Sequence, residues 1–270
     1  MAESESSNSF ERLSTILDIL RRECPWDRVQ TIESLRYLTI EEVSELSEAI
    51  IDRQPDEIRK ELGDLFMHLL FYVKIAQDRE LFTLDDVLHG ISDKLVSRHP
   101  HIVLPDRNGI MQGGSHNPVP QWEKVKMKEG RKSVLEGVPR TLPTLVKSVR
   151  MQEKAAGIGF DYDTADDAFV KVKEEYDELK EAIDSAACHT EQGPEKAKRA
   201  MEEEFGDLLF ALIKWGDKMG INADDALAHT NQKFLYRFQH MESAAQAQGR
   251  TVGDLSKKEM LELWNNAKDA

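Results

Sequence analysis

Glu41-Glu42-x-x-Glu45 is followed by Glu61-Leu-Gly-Asp64-Leu-Phe, and the pair of motifs returns as Glu174-Glu175-x-x-Glu178 and Glu204-Phe-Gly-Asp207-Leu-Leu. Downstream, Lys94-x-x-x-Arg98 corresponds to Lys233-x-x-x-Arg237, and Trp122-x-x-x-Lys126 to Trp264-x-x-x-Lys268. Four features matched in one order indicate an internal duplication, and a duplication calls for two copies of one fold. Gly130, Gly137, Pro139 and Pro143 cluster between the copies. The boundary is therefore expected there, giving domains 1–133 and 134–270.

The local signals are helical. Asn8 with Glu11 and Thr39 with Glu42 have capping-box spacing, predicting helices to about Arg22 and about Asp52. Pro55 suits a first turn, and the helix it opens runs past Tyr72 with Leu62, Leu65, Leu69 and Val73 in helical register. Thr83 with Asp86 opens the next, which His99-Pro100 ends near Arg98. The Pro- and Gly-containing stretch from Val103 to Gln121 reads as a long loop. In the second half, Thr164 with Asp167 opens a helix to about Ser185, and residues 186–195 form a polar loop. One helix then carries Glu203 to Lys218, another runs from Asn222/Asp225 to about Ala247, and a short one holds Trp264. No segment sustains period-two alternation, so few or no strands are expected. The fold class is all-α.

Composition narrows the function classes. Hydrophobic residues at 40% and charged residues at 32% describe a soluble globular chain. Apolar runs such as that from Leu208 to Ile213 stop well short of a membrane span. The Ser- and Glu-rich start does not read as a signal peptide. Two cysteines, Cys24 and Cys188, make no disulfide framework and fit a reducing cytoplasm. A net charge of −14 argues against binding nucleic-acid polymers, which needs a basic face. Phosphates remain accessible to such a protein when metal ions bridge the like charges.

The carboxylate spacing points to that case. Residues three apart on a helix differ by roughly 60° in direction and about 4.5 Å in height, so they share a face. Glu42 pairs with Glu45, and Glu61 with Asp64; a short connection makes the two helices antiparallel. Four carboxylates then surround one small volume, and the second copy repeats this with Glu175, Glu178, Glu204 and Asp207. Oxygen-only ligands select hard divalent ions, Mg²⁺ first and Mn²⁺ as a substitute. One EExxE alone reads more simply as solvated helix surface, and Glu42 could serve only as a cap. Recurrence weighs against both, as do Gly63 and Gly206 inside the two ExxD motifs. A helix-interior glycine costs about 1 kcal/mol relative to alanine, so a close approach to the backbone is expected there. A di-iron site would add Glu-x-x-His ligands; His68 has Ala211 as its counterpart and is expected to pack within the first bundle.

Lys94 with Arg98 and Lys233 with Arg237 each stack at i,i+4, a clamp for anions or an ordinary solvated face. Trp122 with Lys126 and Trp264 with Lys268 set a flat apolar surface beside a cation, for stacking on a base or for anchoring a helix. Lys171, one turn before Glu174, is a further candidate phosphate ligand; Leu38 stands at the corresponding place in the first half.

With these residues assembled, the chain resembles the MazG family of tandem-domain nucleoside triphosphate pyrophosphohydrolases, of the all-α pyrophosphatase superfamily, from about Phe10 to Lys268. The marks are Cys24-Pro-Trp-Asp27, the first EExxE with its ELGD, Ser97-Arg-His-Pro-His101, Gly159-Phe-Asp161 and Glu202-Glu-Glu-Phe-Gly-Asp207-Leu-Leu-Phe. The resemblance implies four-helix-bundle-like modules completed by intertwined homodimerisation. It also implies Mg²⁺-dependent cleavage of common NTPs and dNTPs to the monophosphate and pyrophosphate. It makes Glu175, Glu178, Glu204 and Asp207 metal ligands, and gives Glu174 and Glu203 the task of orienting or deprotonating water. Lys233, Arg237, Trp264 and Lys268 would hold the nucleotide. A family lysine four residues before the ExxD glutamate falls here on Ala200, with Lys198 and Arg199 as neighbours.

The halves differ at one telling place: Lys60 precedes Glu61 where Glu203 precedes Glu204. A lysine is a poor base, so the second domain is expected to be the main catalytic one and the first weak or regulatory. The competing expectation is a dimeric interaction scaffold with vestigial metal sites, above all in the first domain.

Overall fold

The computed structural model describes residues 2–112, 132–188 and 193–268. The chain divides into two compact units, residues 1–120 and 121–270.

In the first unit, α1 (Ala2–Glu23), α2 (Pro25–Val29), α3 (Ile32–Ile51), α4 (Pro55–Asp78) and α5 (Leu84–Arg98) follow one another, and two-residue strands β1 (Leu104–Pro105) and β2 (Met111–Gln112) pair antiparallel. Three residues separate α3 from α4, which makes the expected hairpin. Pro55 occupies the first turn of α4, and Thr83 with Asp86 forms the expected box at α5. Two expected starts are corrected. Asn8 lies inside α1, which begins at Ala2. Thr39 lies inside α3 and its hydroxyl donates to the Leu35 carbonyl at 3.1 Å. The cap of α3 is Thr31, whose Oγ1 accepts from the Ser34 amide at 3.1 Å while Ser34 Oγ accepts from the Thr31 amide. Glu42 is thereby released from capping and lies nearly three turns into the helix.

The core of this unit is Leu17, Leu35, Leu70, Phe71 and Ile75, with Leu13, Leu38 and Met67 packed against it. Each such side chain contributes about 1.5–3 kcal/mol by leaving water, and together they fix α1 across the α3–α4 hairpin.

The second unit holds α6 (Thr144–Ala156), α7 (Ala165–Cys188), α8 (Pro194–Lys218), α9 (Ala223–Ala247), a 3-10 turn (Val252–Asp254) and α10 (Lys257–Asn266). Thr164 and Asp167 bond reciprocally ahead of α7, and Asn222 accepts from the Asp224 and Asp225 amides to open α9, both as read from sequence. The α7–α8 hairpin repeats α3–α4, and α8 begins nine residues before Glu203. Neither α2 nor α6 is anticipated by the capping signals. α9 closes on α10 through Met241, Ala245 and Leu255, with Phe238, Met260 and Leu263 around them. Trp122 and Lys126 lie outside the described residues. Among those described, no helix is long and apolar enough to cross a membrane.

Candidate active site

Each hairpin gathers three of its four expected carboxylates. Carboxylate oxygens of Glu42, Glu45 and Glu61 lie within 4.8 Å of one another, as do those of Glu175, Glu178 and Glu204. Asp64 and Asp207 stand outside these triads, yet close by: Asp64 contributes to the raised pKa of Glu42, and Asp207 shares a cavity wall with Glu175. The first two carboxylates of each triad come from one turn of α3 or α7, and the third from the facing helix.

The electrostatics are those of crowded like charges. Burial and the charges of Asp64, Glu45 and Glu61 push the Glu42 carboxyl above its ordinary value. Burial and Glu61 do the same to Glu45, and Glu175, with burial, raises Glu178. Glu61 is 4% exposed and its Oε2 is buried with no hydrogen-bond donor among the described residues. A buried carboxylate oxygen left unsatisfied is costly, and a hard divalent cation fits such an oxygen-only donor set.

Lysines compensate part of this charge. Lys60 Nζ lies 3.1 Å from Glu61 Oε1 and 3.3 Å from Glu57. Lys171 Nζ lies 2.8 Å from Glu175 Oε1 and 3.3 Å from Glu174 Oε2, and these bonds raise its pKa. Lys171 therefore offsets part of the charge of the carboxylates themselves and also lines the cavity described next. Glu203 is exposed beside the second triad.

What lies next to the triads separates the units. Beside Glu175 and Asp207 opens a cavity of about 510 Å³, walled by Met151, Ala155, Phe160, Tyr162, Ala168 and Phe210, with Gln152, Lys171 and Lys214 also on its surface. Aligning the repeated motifs sets Leu35 against Ala168, Leu38 against Lys171, His68 against Ala211 and Phe71 against Lys214. In the first unit these places are core: Leu35 is 0% and Phe71 1% exposed, with Leu38 packed on them. His68 is buried, as expected, with Nδ1 3.2 Å from Thr39 Oγ1; burial lowers its pKa against the charge of Asp64.

One wall of the cavity is pinned by ions. Lys214 Nζ lies 2.6 Å from Asp161 and 2.8 Å from Asp217, and Lys218 Nζ lies 3.2 Å from Asp161. Burial works to raise the Asp161 carboxyl, but these bonds outweigh it and the net shift is downward. They tie the Gly159–Tyr162 turn to α8. The Gly159-Phe-Asp161 motif is visible in the sequence, but nothing near it in the chain names Lys214 as its partner.

The cationic candidates are distributed differently. Arg237 lies over the Trp264 ring at 5.7 Å, and Phe234 meets that ring edge-on at 5.1 Å. Trp264 thus anchors α10 to α9 and carries a guanidinium. Lys233 and Lys268 are exposed, and none of Lys233, Arg237, Trp264 and Lys268 lines the cavity. Lys94 is exposed on α5, a helix with no buried residue, and Arg98 ends it. A β-carbon built on Gly63 or Gly206 would meet nothing within 4 Å. The close approach expected at these glycines is not made by any of the described residues.

A family model described as the MazG nucleotide pyrophosphohydrolase domain matches residues 30–103 and again 166–242. The chain is 36% identical over 269 residues to the nucleoside triphosphate pyrophosphohydrolase/pyrophosphatase MazG of Thermotoga maritima, covering 98% of this chain and 97% of that protein. It is 35% identical over 268 residues to the nucleoside triphosphate pyrophosphohydrolase of Escherichia coli K12, covering 97% of each. Over 272 residues it is 37% identical to the uncharacterized protein YabN of Bacillus subtilis, matching 96% of this chain and 52% of that one.

Proposed function

The chain belongs to the MazG nucleotide pyrophosphohydrolase family, and from that premise we propose that it cleaves nucleoside and deoxynucleoside triphosphates to the monophosphate and pyrophosphate with Mg²⁺, tolerates all the common bases, and does so in its second unit. The observation that supports this placement is the cavity beside Glu175 and Asp207, where the first unit has Leu35 and Phe71 filling the corresponding space.

Glu175, Glu178 and Glu204 would hold the cation, with Asp207 completing the set; Mn²⁺ would substitute. When bound, the cation supplies charge neutralisation at the phosphate oxygens and stabilises the charge that develops on the leaving group. The remaining work falls to side chains. Lys171 holds Glu175 in register by its 2.8 Å bond. Glu174 or Glu203, both exposed at the edge of the triad, orients water and accepts its proton. Lys233, Arg237 and Lys268 would grip the outer phosphates, with Trp264 offering a ring face.

A homodimer would bring those cations to the carboxylates. Helix α5 buries no residue and leaves Val87, Leu88, Ile91 and Leu95 each more than 40% exposed. In α9, Leu227, Phe234 and Leu235 are at least half exposed. Apolar surface of this extent calls for a cover, and a second copy of the chain supplies it symmetrically.

The first unit reads as a metal-holding and dimerising half. Lys60 on Glu61 and the filled core favour that reading for it, with Lys94, Arg98, Trp122 and Lys126 as remnants of a clamp.

Purified protein incubated with dNTPs and Mg²⁺ tests the proposal when NMP, NDP, PPi and Pi are resolved. NMP with PPi, abolished by a chelator, is expected. NDP with Pi would replace this reading with a phosphatase.

A further inference from the structure

Gln152 has no part in the chemistry above, yet it lies on the cavity wall in an unusual state. Its side chain belongs to α6 and is 7% exposed. Nε2 donates to the backbone carbonyl of Phe210 at 2.7 Å, while Oε1 is buried with no partner among the described residues. The carbonyl can only accept, so it fixes which end of the amide faces it and leaves the oxygen as a spare acceptor. An acceptor buried without a donor costs about 1–3 kcal/mol. The cost is removed when a bound molecule brings an N–H. The same cavity has apolar walls from Phe160, Phe210, Met151 and Ala168 and a polar end at Lys171, Glu175 and Asp207. Its volume of about 510 Å³ lies within the usual range of small-molecule sites.

Resting on the reading that triphosphates are cleaved at this site, we propose that Gln152 Oε1 is the nucleobase reader of the second unit. It accepts a hydrogen bond from the N–H that every common base carries on its pairing edge. Adenine and cytosine offer an exocyclic amine, guanine an amine and a ring N–H, uracil and thymine a ring N–H. A single acceptor therefore accommodates all of them and discriminates only against a base without a donor. Broad base tolerance then reflects one shared contact rather than an absence of contacts.

The experiment compares kcat/KM for dATP with that for the triphosphate of purine 2′-deoxyriboside, which lacks both the exocyclic amine and a ring N–H on that edge. Wild-type enzyme is expected to prefer dATP about 10- to 100-fold, the range given by one unsatisfied buried acceptor. Gln152→Met keeps the side-chain volume and removes the acceptor, and its preference is expected to fall to near unity. The ratio is taken within one preparation, so a partly folded variant does not distort it, and the wild-type arm needs no variant. Equal use of the two substrates by wild type, or a preference retained in Gln152→Met, overturns the assignment. Failure of wild type to release NMP and PPi from any triphosphate marks instead the failure of the underlying reading and removes this inference with it.

Discussion

Phe71 and Lys214 stand at the same place in the repeated hairpin, yet Phe71 is sealed in a core at 1% exposure while Lys214 lies on a cavity wall between Asp161 and Asp217. The duplication kept the carboxylates in both halves and diverged in what fills the space beside them. Leu35 against Ala168 and Leu38 against Lys171 follow the same pattern.

Phe71→Ala is expected to destabilise the first unit by about 3–5 kcal/mol, the usual cost of deleting a buried ring. Turnover by the protein that remains folded should be unchanged if, as proposed, catalysis belongs to the other unit. Urea unfolding followed by circular dichroism, with kcat measured well below the transition, checks both. A lowered kcat in folded protein would count against the division of labour.

Lys214→Met removes both ion pairs from a lysine that is almost fully buried, leaving Asp161 partly buried without its main partner. About 2–3 kcal/mol of stability should be lost, since Asp161 and Asp217 retain some solvent. Lys218 keeps a hold on Asp161 and limits the damage. A change below about 0.5 kcal/mol in urea unfolding would place this network with ordinary surface pairs.

Acidification should weaken the response to metal. Burial and neighbouring carboxylates raise the folded-state pKa of Glu42 and Glu45, and Glu175 with burial raises Glu178. A raised carboxyl pKa means that the ionised form is penalised in the fold. The penalty is present above the folded pKa and disappears as protons bind. Divalent cation relieves it only where the groups are ionised. The rise in Tm caused by Mg²⁺ is therefore expected to be largest near neutral pH and to shrink towards about pH 5 and below. A Tm gain independent of pH would detach metal binding from these carboxylates.

Caps made by residues three apart were legible because their chemistry is local, as at Thr83/Asp86, Thr164/Asp167 and Asn222/Asp225. Thr39 and Glu42 spell the same signal, but Thr31 and Ser34 start α3 earlier, with serine instead of an acid at the third position. Helix α6 follows Pro143 with no side-chain cap, so it offered no such signal. At the site, repetition exposed the carboxylates, because spacing on a helix fixes direction. The cavity was not legible, since it depends on volume that is missing across three helices. A position-by-position comparison of the repeats would have flagged it, with Ala168 facing Leu35 and Lys214 facing Phe71. Gln152 has no sequence signal; its significance is an unfilled hydrogen bond.

The central claim is that turnover belongs to the second triad. Replacing one ligand in each half tests it under identical conditions. NMP and PPi release from dATP with Mg²⁺ is measured for Glu178→Ala and for Glu45→Ala, with folding confirmed for each by circular dichroism. Glu178→Ala is expected to abolish release and Glu45→Ala to retain most of it. Loss of activity in Glu45→Ala with activity retained in Glu178→Ala would contradict the account.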